Sequence, residues 1–416
     1  MVAPNPQLRA DPYQNPELFR WAGSLEGVPD WVDPAETPEE QRARVGWRAR
    51  AHELLELSGA LLPGVALAAA CAFLGSGVAT WLGVSLLGFA KTPISPILAA
   101  ILLGLLLRNT AGLPAIYEPG VNLCLKRVLR VGVALLGLRL SLVAVGAIGL
   151  AAVPIVLASI ATALLLVRWI SRLLGLPPRL GVLIAAGTAI CGNTAIVATG
   201  PAIDASEDEV SYAVGTITVF GLLALVTYPF LSHAVFGGDA HLAGLFLGTA
   251  IHDTAQVAGA GLLYALQFGA PETLDTATVT KLVRNLFMVA VIPLVAFLHR
   301  RGDGAAAAST RPPLAQVVPL FVFGFLALVV VRTVGDLGAA PFGGLLSAER
   351  WAGVIDGAST ASTACLGVAM AGVGLGTNLR RLRTLGLRPL GVGLAAALVV
   401  GIVSAGLIHL LADRLR

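Results

Sequence analysis

From Ser58 onward the chain is a succession of apolar runs, each about 17–25 residues long, separated by short basic or polar patches. A helix rises about 1.5 Å per residue, so such runs match the roughly 30 Å hydrocarbon core of a bilayer. In lipid the backbone polar groups of each run must bond to one another, which selects helices. The fold class expected is an all-α polytopic membrane protein. Charged residues make up 12% of the 416 residues, about half the share usual in soluble domains. That scarcity excludes a water-soluble enzyme, a disordered chain and a nucleic-acid-binding surface.

Spans are expected near 61–82, 93–107, 127–146, 147–167, 180–200, 210–232, 242–266, 279–298, 314–331, 351–376 and 389–411, about eleven transmembrane helices. A tight hairpin is expected around Gly146–Gly149. With the N-terminus placed in the cytoplasm, eighteen basic residues fall on the cytoplasmic side and five outside. That bias follows the positive-inside rule and puts the C-terminus outside. The low-complexity stretch Gly302–Pro313 reads as a flexible link between two halves. Five spans per half would suit an inverted repeat, because an odd-numbered unit reverses when it is duplicated. GTAICGNTAIVA (187–198) resembles GTAIHDTAQVA (248–258), and GLRLSL (137–142) resembles GLGTNL (374–379).

Two domains follow from composition: a tail over 1–58 and a membrane domain over 59–416. The tail holds ten acidic and six basic residues and three tryptophans, with no apolar segment after the start Met that would make a signal peptide. Thr37, Pro38 and Glu40 form a helix-start signature, so Glu39–Leu57 reads as an interfacial amphipathic helix with Arg42, Arg44, Arg48 and Arg50 near the bilayer. The four cysteines have no metal-ligand or disulfide spacing. No metal and no cofactor are expected.

A charge at mid-membrane costs about 2.5–3.5 kcal/mol on insertion scales, so the few such residues are functional candidates. They are Arg139, His252, Asp253, Lys281, Arg284 and Asp356. His252 and Asp253 fall near the centre of the seventh run, with Gln256 four residues on from the imidazole. A histidine there is suited to carry a coupling proton, with the adjacent carboxylate sharing the task. Lys281 and Arg284 share one face of the eighth run, with Asn285 beside them, and read as an anion site or as partners of Asp253; snorkelling to the headgroups is the plainer alternative. Arg139 lies too deep in the third run to snorkel and is expected to meet a carboxylate, a substrate or a polar cavity.

Two segments read as interrupted helices. Gly187–Gly200 places Cys191, Gly192, Asn193 and Thr194 mid-span, and Asp356–Gly367 places Ser359, Thr360, Ser362 and Thr363 there. Small and hydroxylic residues can re-satisfy backbone groups freed by a break, and half-helix N-termini would then face a bound anion. Simple small-residue packing of unbroken helices is the alternative.

The segments LRVGVALLGLRLSL, AAGTAICGNTAIVATGPAI, TVFGLLALVTYP, GTAIHDTAQVAGAG, TKLVRNLFM and AMAGVGLGTNLRRLRTLGLRPL, in that order, resemble the YeiH-type sulfate exporter family over residues 60–412. The resemblance implies an inner-membrane transporter related to the cation/proton antiporter and anion transporter clan. It also implies an inverted-repeat bundle with two crossing interrupted helices, and a homodimer. Family sites carried over are Cys191, Gly192 and Thr194, then His252, Asp253 and Gln256, then Lys281 and Arg284.

The function expected is export of a small sulfate-like anion coupled to protons. The anion would bind at Cys191, Gly192, Asn193, Thr194, Gln256, Lys281, Arg284, Arg139, Ser359, Thr360, Ser362 and Thr363, with His252 and Asp253 for the proton. A Na⁺/H⁺-type antiporter, an intramembrane enzyme using Cys191 and His252, and a non-transporting sensor or scaffold are the rivals. A small anionic substrate and the lipid bilayer are the partners expected.

Overall fold

A computed structural model describes residues 47–86, 95–303, 320–338, 340–379 and 386–415. Every regular element among them is helical. The chain divides into two compact units, Met1–Gly59 and Ala60–Arg416. Residues 39–46 of the expected interfacial helix and 304–313 of the expected linker lie outside the described residues.

Helix α1 is Trp47–Thr80, running into a π turn at Trp81–Leu86, and α2 is Pro96–Thr110. Helix α3 passes through Glu118–Leu123, a π turn at Cys124–Val128 and Leu129–Leu135, and closes in a 3-10 turn at Leu136–Arg139. After Leu140 and the N-cap Ser141 comes α4, Leu142–Leu173. The reversal therefore sits at 140–141 and not at the expected Gly146–Gly149, because the Ser141 hydroxyl accepts the Ala144 N–H and starts the helix early.

The short helices α5 (Pro178–Ala189) and α6 (Asn193–Thr199) precede α7, Glu207–Val235, which opens on a capping box between Ser206 and Glu209. A second short pair follows: α8 (Ala240–Ala250) and α9 (Thr254–Phe268). Then come α10 (Glu272–Leu286), α11 (Met288–Asp303), α12 (Leu320–Gly335), α13 (Ala348–Gly376) and α14 (Leu387–Leu415).

Helical residues lie on all of the segments expected to span, but among the described residues only five helices are long and apolar enough to cross a membrane unaided. The count is six if α10 and α11, bent by 43° at Phe287, act as one span. Breaks and bends shorten the rest.

The second interruption expected from sequence is corrected. α13 runs unbroken through Asp356–Gly367. Its hydroxyls are satisfied without a break: Thr363 bonds back to the Ser359 carbonyl at 3.0 Å, and Ser362 donates to the Gly132 carbonyl of α3 at 2.7 Å. Here the small-residue run serves close packing. A Cβ on Gly104 of α2 would lie 2.6 Å from the Ala371 carbonyl oxygen, and one on Gly374 would collide with the Ile101 carbonyl, so two backbones touch directly. Hydroxyl bridges of the same economy join Ser159 of α4 to Ser404 of α14 at 3.1 Å, and Tyr228 of α7 to the Ala397 carbonyl at 3.0 Å.

Replacing Gly374 by Val is expected to abolish accumulation of folded protein, while Gly59→Val, with open space around its Cβ direction, leaves it unchanged. Size-exclusion of detergent-solubilised variants measures both.

Candidate functional site

The two short helix pairs break at matching words. α5 ends at Ala189 of GTAICGN and α8 ends at Ala250 of GTAIHD, so Thr188 corresponds to Thr249 and Ile190 to Ile251. Gly192, the N-cap of α6, has φ +64°, a conformation that favours glycine. Asp253 is the N-cap of α9 and forms a capping box with Gln256. The breaks meet: a Cβ on Gly192 would lie 3.1 Å from Asp253 Oδ2. The second interruption is therefore at Ile251–Asp253, inside the run read from sequence as one span.

A broken helix leaves carbonyls without partners at its C-terminal end and N–H groups without partners at its N-terminal start. α10 supplies the first need. Arg284 Nε donates to Ala189 O at 2.8 Å, one terminal nitrogen to Thr249 O at 2.6 Å and the other to Thr188 O. Lys281 Nζ donates to Ile190 O at 3.0 Å, to Ile251 O at 2.9 Å and to His252 O. Each cation thus bonds corresponding carbonyls of both pairs, and both are fully buried. Asp253 supplies the second need: its carboxylate accepts the Ala255 N–H of α9 at 2.9 Å and lies against Gly192, the N-cap of α6.

Beside the two breaks lies a cavity of about 660 Å³, lined by Cys191, Asn193, Thr194, Asp253, Thr254 and Gln256 from the broken pairs. Thr218 of α7, Asn285 of α10, Met288 of α11 and Phe321 of α12 complete that side. Asn193 Nδ2 donates to Thr218 Oγ1 at 3.4 Å, Gln256 Nε2 to Thr218 O at 3.4 Å, and Asn285 Nδ2 to Thr254 Oγ1 at 3.1 Å. α3 lines the cavity too, with Asn122, Lys126 and Arg130, the last stacked over the Phe321 ring at 5.9 Å. Their i, i+4 spacing puts them on one stripe, a signal open to sequence reading but absorbed there into the cytoplasmic charge count.

The sequence-derived candidates do not all converge. Cys191, Asn193, Thr194, Asp253 and Gln256 line the cavity, and the Cys191 thiol points at Met288 sulfur, 3.4 Å away. Lys281 and Arg284 stand behind it, committed to carbonyls. His252 lines neither cavity described here; it is 1% exposed and neither ring nitrogen has a protein partner.

Arg139 is a helix-end residue and not a mid-span one, because the 3-10 turn stops α3 there. Its guanidinium pairs with Asp275 of α10 at 3.0 Å. With Ser359, Thr363, Asp356 and Arg332 it lines a separate cavity of about 600 Å³. Thr360 is exposed, and Ser362 is buried against α3. The two cavities occupy opposite ends of α3, α12 and α13, as Phe321 and Arg332 of α12 show. At the rim of the second, the Trp351 indole and Arg332 bond Asp336 and hold its carboxyl below the usual range.

Comparison with known proteins decides the family. The model of the family described as "Conserved hypothetical protein 698" matches residues 63–393. The chain is 36% identical to the UPF0324 membrane protein TauZ of Paracoccus pantotrophus, over 76% of this chain and 88% of that one. It is 33% identical to a UPF0324 membrane protein of Corynebacterium glutamicum, over 75% of this chain and 85% of the relative. The chain belongs to the UPF0324 family of membrane proteins. That membership agrees with the YeiH-type resemblance of its motifs. No solved structure matches this UPF0324 chain.

Each buried carbonyl left without a donor costs about 1–3 kcal/mol. Lys281→Met and Arg284→Met are expected to lower the melting temperature in detergent sharply or to prevent accumulation. Arg284→Lys, which keeps the charge but not the fork, falls between them and the parent.

Proposed function

We propose that this UPF0324 protein is a secondary transporter that exports a small sulfate-like oxyanion, coupled to protons. The observation that carries the reading is the meeting of two helix breaks, at Gly192 and Asp253, on the wall of the 660 Å³ cavity. Transporters place broken helices at their binding site because freed backbone dipoles there can hold an ion.

Charge bookkeeping favours an anion. Helix ends carry about half an elementary charge each. The Asp253 carboxylate offsets the two positive ends, whereas Lys281 and Arg284 together exceed the two negative ends by one charge when all three are ionised. Lys126 and Arg130 of α3 add to that field. Asn193, Thr194, Gln256 and Asn285 supply short polar side chains whose amides can turn to donate to an oxyanion.

The matched words 187–198 and 248–258 are held by the same two cations. With helices on every expected span, the chain makes an eleven-span inner-membrane bundle, N-terminus in the cytoplasm and C-terminus outside. The cavities at opposite ends of α3, α12 and α13 suit alternating access.

A Na⁺/H⁺-type exchange is the second reading, since Asp253 is a carboxylate on the cavity wall. Its Oδ1 is already engaged by the Ala255 N–H, which makes it a poor cation ligand.

Proteoliposomes holding the purified chain test the proposal with radiolabelled sulfate, and binding of sulfate, sulfite and thiosulfate in detergent extends it. Lys126→Ala or Arg130→Ala is expected to weaken anion binding about tenfold to a hundredfold, the worth of one charge-assisted hydrogen bond. Absence of oxyanion binding across that panel, with a Na⁺-dependent pH response that vanishes in Asp253→Asn, would overturn the anion reading in favour of exchange.

A further inference from the structure

We propose that Asp275 is the carboxylate that takes up and releases the coupling proton, and that a row of water-bearing polar side chains along α10 connects it to the cavity of Asp253. The proposal rests on the transport reading above and gives Asp275 the role that sequence reading gave His252 and Asp253.

Asp275 is 8% exposed, and its two oxygens are unlike: Oδ2 pairs with Arg139 at 3.0 Å, and Oδ1 has no protein partner. Three and ten residues along the same helix, Thr278 Oγ1 and Asn285 Oδ1 are also buried without a protein partner. At 100° per residue, Asp275, Thr278 and Asn285 share one stripe, spanning about 15 Å at the rise of a helix. The stripe starts beside the cavity of Arg139, which Pro271 and Leu274 also line, and ends in the other cavity, where Asn285 forms part of the wall. Buried polar atoms in native proteins are almost always hydrogen-bonded, to ordered water where no side chain serves. Three unpartnered atoms in register between two cavities therefore mark where water threads the protein.

The surroundings single out this carboxylate. Arg139 faces it from α3, and Glu272 lies three residues back on α10. Across the cavity are Asp356 of α13 and Arg332 of α12, the latter bonded to Asp336. From α8 comes His241, bonded to Thr276, and from α9 Tyr264, bonded to His233. The arginines of α4, Arg168 and Arg172, are at its far end. Arg139 is thus the one cation in direct contact with Asp275 among the described residues.

A hydronium in the cavity gives its proton to the carboxylate: an O–H bond forms on Asp275, and water remains. The carboxylate's charge is gone, so the Arg139 guanidinium loses its counter-ion and turns its positive charge to the cavity, where an anion can replace the carboxylate. Release reverses the step: the O–H bond breaks, the proton passes to water held at Thr278 or in the cavity, and Asp275 recaptures Arg139. Proton uptake and anion attraction are thereby linked through one ion pair.

The test reads the carboxyl group and the flux separately. In pH-difference infrared spectra of the protein in lipid, the protonated-carboxyl band that grows as pH falls is expected to disappear in Asp275→Asn, to persist in Asp253→Asn, and to move in Arg139→Gln. In proteoliposomes, Asp275→Asn is expected to lose pH-gradient-driven sulfate flux while keeping sulfate counterflow, with Asp275→Glu restoring the coupling and Thr278→Val slowing it. An unchanged band in Asp275→Asn, or pH-driven flux retained in that variant, would overturn the proposal. Absence of sulfate flux in the parent protein defeats the sulfate reading alone, and the infrared band then decides the role of Asp275 by itself.

Discussion

The architecture depends on two cations holding the ends of two broken helices. Thr188, Ala189 and Ile190 close one half-helix, and Thr249, Ile251 and His252 lie at the end of the other; all present carbonyls in a protein interior from which bulk water is excluded. Arg284 and Lys281 reach those six oxygens from a single helix. Without them the breaks could not be buried, since irregular backbone at membrane depth is tolerated only where protein or a wet cavity satisfies it. The opposite poles are faced by Asp253, so one carboxylate and two cations balance four helix ends with a positive remainder. The selectivity proposed for the cavity follows from that imbalance.

The same constraint explains why α10 is so polar for a buried helix. Thr273 and Thr276 bond towards α8, Lys281 and Arg284 serve the breaks, and Asp275 meets Arg139. Each of these side chains has a partner that another helix brings. The cost of burying them is offset only in this arrangement, so α10 acts as the post around which the two broken pairs are assembled. The long apolar helix α4 packs directly against this post, and α7, α13 and α14 pack against the broken pairs.

Much of this was legible in the chain. The apolar runs marked the helices, the scarcity of charge marked Lys281, Arg284, His252 and Asp253, and the repeated GTAI marked both breaks, although the second was sought at Asp356–Gly367. That misplacement has a clear cause: a run of Ser and Thr can satisfy its own hydroxyls on helix carbonyls, as Thr363 does on Ser359, and needs no break. In the HDTAQ segment, by contrast, an Asp–Gln capping box starts a new helix, a local signature that was present but read as a pair of mid-span charges. Arg139 meets the carboxylate expected of it, but at a helix end, since a 3-10 turn shortened its helix.

The chain by itself determined that this is a helical membrane protein and which few ionisable side chains the bilayer interior would have to accommodate. Helix formation and the penalty on buried charge are both local properties of a run of residues. Only the tertiary structure decided what those charges do, because their partners are backbone carbonyls and side chains more than 130 residues away. Whether a buried cation binds a solute, a carboxylate or the end of a helix depends on which of these the fold places within hydrogen-bonding distance, and pattern along the sequence does not encode that.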